Sequence, residues 1–169
     1  LNTKWMEQGY LNTGLTELYE MVKNDPDAVA MFNHPCFAWG DFDEFAHYDP
    51  QIDEKVALSE IKGQAFDREY TNLLHNGWHA APVFNEDNHG INWTTATNST
   101  GYILAPALTR ANVLEAFRAR RTYSTSDNTM HLTYKLNGAW LGSRIKRTAK
   151  VTAEVHAITD LEDGLGVMQ

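Results

Sequence analysis

The chain is poor in several residue types and patterns, and each deficit excludes a class of protein. Only one of its 169 residues, Cys36, is a cysteine, which excludes an internal disulfide framework. No apolar run approaches the roughly 20 residues that a membrane-spanning helix needs. Lysine and arginine number 14 against 22 acidic residues, for a net charge of −8. This balance, with no long basic run, indicates neither a nucleic-acid partner nor a membrane.

The chain also lacks the usual signals at its two ends. It has no initiator methionine and no charged-then-apolar leader. Its last residues, "TDLEDGLGVMQ", resemble a β-strand that is interrupted as it begins. We therefore expect a fragment of a longer protein, and the sequence indicates no compartment, whether cytoplasmic or secreted.

The composition is that of a globular protein, with 43% hydrophobic and 21% charged residues. Up to residue 127, short apolar runs alternate with segments of helical periodicity. Strands are predicted near 28–33, 56–61, 78–84, 102–105 and 122–125, and helices at 15–24, at 66–76 and from Thr109 onward. Strands that alternate with helices favour a mostly parallel α/β arrangement, open or barrel-like.

The pattern changes near residue 127. Apolar and polar residues then alternate around Asn137-Gly138, a pair that strongly favours a β-hairpin turn. Residues 150–158 alternate in the same way. We therefore predict a boundary near 127, with an α/β region over 1–127 and a β-rich, sandwich-like and truncated segment over 128–169.

Two polar motifs follow predicted strands directly. His34 comes after the strand at 28–33, and Asp87 and His89 come after the strand at 78–84. In parallel α/β folds, ligands gather at the carboxyl ends of the strands. Residues i and i+2 of an extended segment also point the same way. Two imidazoles and a carboxylate that converge there suit a divalent metal ion such as Zn²⁺, Mn²⁺ or Fe²⁺.

Each motif also has a structural interpretation. Asp87 alone can form an Asx-turn, and Pro35 after His34 can simply mark a strand that leaves its sheet. The metal site is favoured because both motifs fall on successive strand ends.

Four segments resemble a known superfamily when they are taken in order. They are "FNHP", "GDFDEFAHYD", "LLHNGWHAAPVFNEDNHGINW" and "VLEAFRARRTYSTSDNTMHLTYKLNGAWLGS". They are similar to the PHP (polymerase and histidinol phosphatase) superfamily, and most of all to its CehA/McbA-like metallohydrolases, over roughly residues 5–145. The resemblance implies a distorted (β/α)7 TIM-like barrel, two or three divalent metal ions at the strand ends, and hydrolysis of phosphoesters.

Position by position, the resemblance assigns His34 to a lone metal-binding histidine before proline. It assigns Asp87 and His89 to an Asp-x-His motif whose residues usually serve different metals. The superfamily's earlier motifs, His-x-His and a further histidine with acidic ligands, have no counterpart here, since residues 1–33 contain no histidine. The resemblance therefore implies a partial barrel, the C-terminal portion, followed by an antiparallel β segment.

Three further residues are candidates for the site. His47 lies in the loop after His34, which is expected to overhang the metals, so it is a candidate substrate or proton-transfer group. A solvated loop histidine is the alternative. Asn85 and Asn92 are candidates for substrate binding, or they satisfy loop backbone.

A short basic cluster, Arg118, Arg120 and Arg121, has the chemistry of phosphate ligands. These residues lie at a helix end just before a strand, which places them on the face away from the metal motifs. A structural role is therefore favoured for them.

The sequence leaves two hypotheses for function. The first is a metal-dependent hydrolase of PHP type, a phosphoesterase that uses metal-activated water on a small phosphorylated or other ester substrate. The alternative is a catalytically inactive PHP-like binding or structural module of a larger extracellular protein. Missing barrel strands would leave sheet edges exposed, so self-association of the fragment is also expected.

Overall fold

Helices and strands alternate along the first part of the chain, which confirms the mixed α/β class. The computed structural model describes residues 14–36, 42–62, 64–146 and 148–160, with side chains apart from those of 64–66. The helices are α1 (Leu15–Asn24), α2 (Pro50–Asp53), α3 (Gln64–His75) and α4 (Arg110–Arg118). The strands are β1 (Ala30–Phe32), β2 (Val56–Glu60), β3 (Ala81–Val83), β4 (Thr100–Ile103), β5 (Thr122–Thr125), β6 (His131–Leu136), β7 (Ala139–Trp140) and β8 (Ala153–Ile158).

The first three strands form a parallel sheet in the order β1-β2-β3. Every residue of β2, the central strand, is buried, as expected for a parallel strand covered on both faces. One apolar cluster includes Phe32, Leu73 and Trp78, and the other includes Leu58 and Val83. The sheet therefore holds the core, and its strands direct their carboxyl ends to one common edge.

Local sequence explains where the helices begin and end. The Thr109 hydroxyl accepts a hydrogen bond from the Asn112 N–H at 3.2 Å and so caps α4. Asp49 caps α2 in the same way, and Pro50 occupies its first turn. Gly77 follows α3 with φ +94°, the left-handed conformation that glycine favours after a helix. Of the helices in the described ranges, none is long and apolar enough to cross a membrane.

The expectation of five parallel strands is wrong for β4. β4 pairs antiparallel with β5 in a separate two-stranded sheet. The physical reason is the connection 84–99, which contains no helix and returns the chain at the edge where β3 ends. A parallel strand would have needed a crossover. Gly101 of β4 approaches β3's exit so closely that a Cβ there would lie 2.9 Å from the Phe84 carbonyl oxygen.

The remaining strands form an antiparallel sheet in the order β7-β6-β8. Asn137 and Gly138, with φ of 50° and 79°, form the two-residue turn that joins β6 to β7, as predicted. Contacts cross the predicted boundary near 127: the Tyr123 hydroxyl donates to the Met130 carbonyl at 3.1 Å and accepts from the Leu132 N–H at 3.0 Å.

The three sheets are small, and none of them closes on itself. Across the described ranges the sheets form no barrel, and the (β/α)7 barrel implied by the resemblance stays a prediction. The division into two domains near residue 127 also stays a prediction.

Candidate functional site

The loops that follow β1 and β3 meet at the carboxyl edge of the parallel sheet. The His34 N–H donates to a carboxylate oxygen of Glu60, the last residue of β2, at 2.6 Å. The Asn85 amide nitrogen lies 3.3 Å from Met31 Sδ and 3.4 Å from Asn33 Oδ1, which joins β3's loop to β1's. The prediction that the His34 motif and the Asp-x-His motif share one edge is therefore confirmed.

Asp87 and His89 form a close pair in the loop after β3. Asp87 Oδ1 and His89 Nε2 are 3.2 Å apart, with 54% and 87% of their side chains exposed. The segment is not extended as expected, because it lies outside any strand and Asp87 has φ 47°. Aspartate tolerates this left-handed conformation better than most residues. The turn at Asp87 itself brings the two side chains together.

The loop that carries the pair is held by Glu86. The Glu86 carboxylate accepts hydrogen bonds from the Thr94 N–H at 3.0 Å and from the Ala96 N–H at 3.2 Å. The Lys62 ammonium donates to the Glu86 carbonyl at 3.0 Å. These bonds fold the far side of the loop back onto its start and anchor both to the chain that follows β2.

Asn88 and Asn92 complete the loop. The Asn88 side chain accepts from the Gly90 N–H at 2.7 Å, which is an Asx-turn, and its amide donates to Asn92 Oδ1 at 3.1 Å. The side chains of Asn92 and Asn85 contact other side chains rather than the loop backbone that their structural interpretation named. A role for either in substrate binding stays a prediction.

An open cleft of about 810 Å³ lies beside the pair. Lys62 and the three acidic residues Asp67, Glu86 and Asp87 contribute its charged groups, His89 contributes an imidazole, and Thr97 and Ser99 contribute hydroxyls. Ser124, near the carboxyl end of β5, also lines it, and its hydroxyl is buried without a hydrogen-bond partner in the described chain. Buried polar atoms are rarely left unpaired. The cleft therefore combines one cation, three carboxylates, an imidazole and a buried hydroxyl without a partner in the described chain.

The Asp87–His89 pair could supply two of the four ligands of a tetrahedral metal ion. Two donors about 2.1 Å from one tetrahedral zinc are about 3.4 Å apart, close to the 3.2 Å observed. A third protein ligand is not found with them: no group of three or more histidine, cysteine or acidic side chains that could hold a metal ion is present in the residues described. His34 is absent from the described lining of the cleft. Its membership of a shared metal site stays a prediction.

His47 lies away from this cleft. Its Nε2 atom is 2.6 Å from Asp43 Oδ2. Next to it, the Tyr48 ring packs on Trp78 with centroids 5.4 Å apart, and the Glu44 carbonyl accepts from the Asn76 amide at 3.1 Å.

Both of those contacts fall at the amino end of β3, so the expectation that this loop overhangs the metal motifs is wrong for residues 42–49. The chain must return to the amino edge there because β2 runs parallel to β1. In this return segment the four residues Phe42–Phe45 all have φ between 53° and 58°, which is a strained left-handed conformation. The fully buried side chain of Phe45 anchors the turn.

Glu60 is the site residue that sequence reasoning missed. It is 1% exposed at the carboxyl edge, between the loops of β1 and β3. Buried glutamates are rare unless they are paired, and here the His34 N–H is one partner. The signal was a carboxylate that ends the apolar run "VALSE".

The amino edge of the same strands carries a second charged cluster. Asp53 is buried; it accepts from the His79 N–H at 2.6 Å and pairs with Arg144 of the segment after β7. Arg120, which is 5% exposed, donates to the backbone carbonyls of His79, Arg118 and Asp53. The structural role expected of the basic cluster is confirmed for Arg120.

The fold and the site together define a mixed α/β protein with a polar cleft at the carboxyl edge of its parallel strands. No protein-family model, curated protein or solved structure matches the chain.

Proposed function

We propose that the chain belongs to a metal-dependent hydrolase of PHP type that acts on phosphoesters. The observation that carries the proposal is the Asp87–His89 pair, 3.2 Å apart, in a cleft at the carboxyl edge of parallel strands. That edge is where α/β folds place their ligands. The order of motifs along the chain supports the same class.

Each part of the cleft has a role in this proposal. Asp87 and His89 would hold divalent ions of zinc, manganese or iron, which supply an activated water at neutral pH when bound. The Lys62 ammonium is the one cation in the described lining, against the carboxylates of Asp67, Glu86 and Asp87, so the attraction for an anionic ester would come mainly from the bound metal. The Thr97 hydroxyl donates to the ester's oxygens. His34 and further ligands outside these residues would complete a site of two or three metals.

Metal binding by the 169-residue chain tests the pair. Isothermal titration with Zn²⁺ and with Mn²⁺ should give weak binding, because each missing supporting group costs about 10–100-fold in affinity. His89→Ala and Asp87→Asn should abolish it, whereas His156→Ala, at an exposed histidine of β8, should leave it unchanged. If all variants bind the metal equally well, Asp87 and His89 are not its ligands.

Turnover tests the completeness of the site. The 169-residue chain should hydrolyse p-nitrophenyl phosphate little or not at all, even with added metal. A longer product of the same gene that contains a His-x-His motif should hydrolyse this or another phosphoester with Mn²⁺ or Zn²⁺, and His89→Ala should stop it. Robust metal-dependent turnover by the short chain would refute the incompleteness of the site.

A catalytically inactive, PHP-like binding or structural module is the second candidate. Ile91 is fully exposed and Trp93 is 69% exposed, both in the loop beside the Asp87–His89 pair. Exposed apolar residues clustered in a loop are typical of interaction sites. An inactive longer form that binds no metal would favour this reading.

A further inference from the structure

The amino edge of the parallel strands carries a pocket of about 220 Å³ for which the proposed function has no use. It lies where three connections meet, just before β2, just before β3 and between α4 and β5, and the turn after β7 forms another of its walls. Its lining includes Glu54, His79, Arg118, Arg121 and Arg144. The pocket therefore joins the parallel sheet to the antiparallel segment.

The charges around the pocket do not balance. Its lining contains four arginines and one glutamate, and Asp53 behind it adds a second carboxylate, which leaves a formal excess of two positive charges. The chain as a whole carries −8. An excess of cations in one recess of an acidic protein makes that recess attractive to an anion.

Most of the four arginines in the lining have no carboxylate partner in the part of the chain that the structure describes. Of the four arginines in the lining, Arg144 alone pairs with a carboxylate within the described chain, that of Asp53. Arg120 donates only to backbone carbonyls, and Arg118 donates to the Asp27 carbonyl at 3.2 Å. Arg121 is half-buried and its guanidinium has no hydrogen-bond or ion-pair partner among the residues that the structure describes. Partly buried cations without counter-charges are costly.

The walls of the pocket also have an unused polar group and a fixed shape. His79 lines the pocket, and its Nδ1 atom is buried without a hydrogen-bond partner in the described residues. Gly142 lies so close to the opposite wall that a Cβ on it would be 2.3 Å from the Arg120 carbonyl oxygen. The volume equals about seven waters of liquid, which accommodates a tetrahedral oxyanion with part of its hydration shell.

We propose that this pocket binds a small oxyanion of phosphate size, held by the guanidinium groups of Arg118, Arg121 and Arg144. Guanidinium groups bind phosphate through paired, charge-assisted hydrogen bonds. The anion supplies the counter-charge that the recess lacks and cross-links the α4–β5 connection to the turn after β7. The site lies at the opposite edge from Asp87 and His89 and does not depend on the hydrolase proposal.

Inorganic phosphate is the probe that tests the site. Titration at constant ionic strength, followed by calorimetry and by thermal unfolding, should show saturable binding and a rise in Tm. Arg121→Gln and Arg118→Gln should each weaken phosphate affinity about tenfold or more, as loss of a charge-assisted bond does. Arg110→Gln removes the same charge from the exposed first turn of α4 and should leave the affinity unchanged.

Chloride separates binding from screening. Sodium chloride at matched ionic strength should not reproduce the rise in Tm, and amide resonances of Gly142 and His79 should shift with phosphate and not with chloride. The proposal is overturned if chloride acts as phosphate does, if no saturation is found, or if Arg110→Gln weakens binding as much as Arg121→Gln. Far-UV circular dichroism shows that each variant is folded before its affinity is compared.

Discussion

The two ends of the parallel strands each hold an aspartate beside a nitrogen-bearing side chain, and the two pairs differ in exposure. At the carboxyl edge the side chains of Asp87 and His89 are 54% and 87% exposed. At the amino edge the Asp53 side chain is 1% exposed, and its partner Arg144 comes from a different sheet region. The first pair stays within one loop, whereas the second joins parts of the chain that are 91 residues apart.

This difference separates groups available for chemistry from groups that maintain the fold. Even a fully charged pair at an exposed site contributes only about 0–1 kcal/mol, so the Asp87–His89 pair can exchange its internal contact for a ligand with little loss of stability. The buried Asp53 carboxylate cannot, because the nearby Arg120, which is 5% exposed, would be left without its counter-charge. The fold therefore depends on the amino edge and leaves the carboxyl edge free for binding.

The largest expected effect comes from one substitution made at both edges. Asp53→Asn should lower the free energy of unfolding by about 3 kcal/mol, because it removes the carboxylate opposite Arg144 and near buried Arg120. Asp87→Asn should change it by no more than about 0.5 kcal/mol, as for an ordinary surface position. Urea unfolding with both variants measures the difference. Similar values for the two would end the distinction between the edges.

A second comparison concerns the turn that closes the amino edge. Gly142→Ala should cost about 2–4 kcal/mol, because φ +81° is strained for alanine and its Cβ would meet the Arg120 carbonyl. Gly138→Ala is the matched control: it has φ +79° and nothing within 4 Å, so it should cost only about 1–2 kcal/mol. Thermal unfolding of both variants checks the order. Equal losses would mean that the turn does not pack against residues 119–120.

Which of these features the sequence predicted depends on how local their causes are. The helix at 15–24, the helix from Thr109 onward and the Asn137-Gly138 turn depend on neighbours in sequence, and the structure confirms each. The parallel β1–β3 sheet followed from apolar runs separated by helix signals. The pairing of β4 was predicted wrongly because direction depends on where the loop 84–99 ends in space, which no local pattern records.

The site shows the same limit. Asp87 and His89 were found because their types and spacing are visible in the sequence. The expected reason for their convergence was wrong, because a left-handed Asp87 rather than an extended segment brings them together. Glu60 was missed because only tertiary contact shows a buried carboxylate beside the His34 N–H. The amino-edge network joins Asp53 to Arg144 across 91 residues, beyond the reach of any motif.

The next effect is the pH dependence of the amino edge. Burial, and then the charges of Arg120 and Arg144, lower the pKa of His79 below its usual 6.5, against weaker opposing effects of Asp53 and Glu54. Below pH 6.5 the unfolded chain takes up a proton that the folded chain resists, so the free energy of unfolding falls as the pH drops. One such group gives at most about 1.4 kcal/mol per pH unit.

His79→Gln should remove this part of the slope, and His156→Gln should retain it. Urea unfolding between pH 5 and pH 8 measures both. The acid effect of Asp127 lies in a separate range, because hydrogen bonds from Thr129 and Thr159 lower the pKa of its carboxyl group below 3.8. A slope that survives in His79→Gln would assign it to another group.

The smallest effect on global stability, and the sharpest local one, is expected at the carboxyl edge. The Glu86 carboxylate accepts from the Thr94 and Ala96 N–H groups, so Glu86→Ala should raise amide exchange at both positions by about tenfold or more. Glu86→Gln keeps one acceptor oxygen and should release mainly one of the two amides. Neither should change global stability by more than about 0.5 kcal/mol, and Glu115→Gln, an exposed change on α4, should alter neither amide. Exchange that rises across β1–β3 as well would show that the carboxyl-edge loop supports the whole sheet, and the division of labour between the two edges would then be wrong.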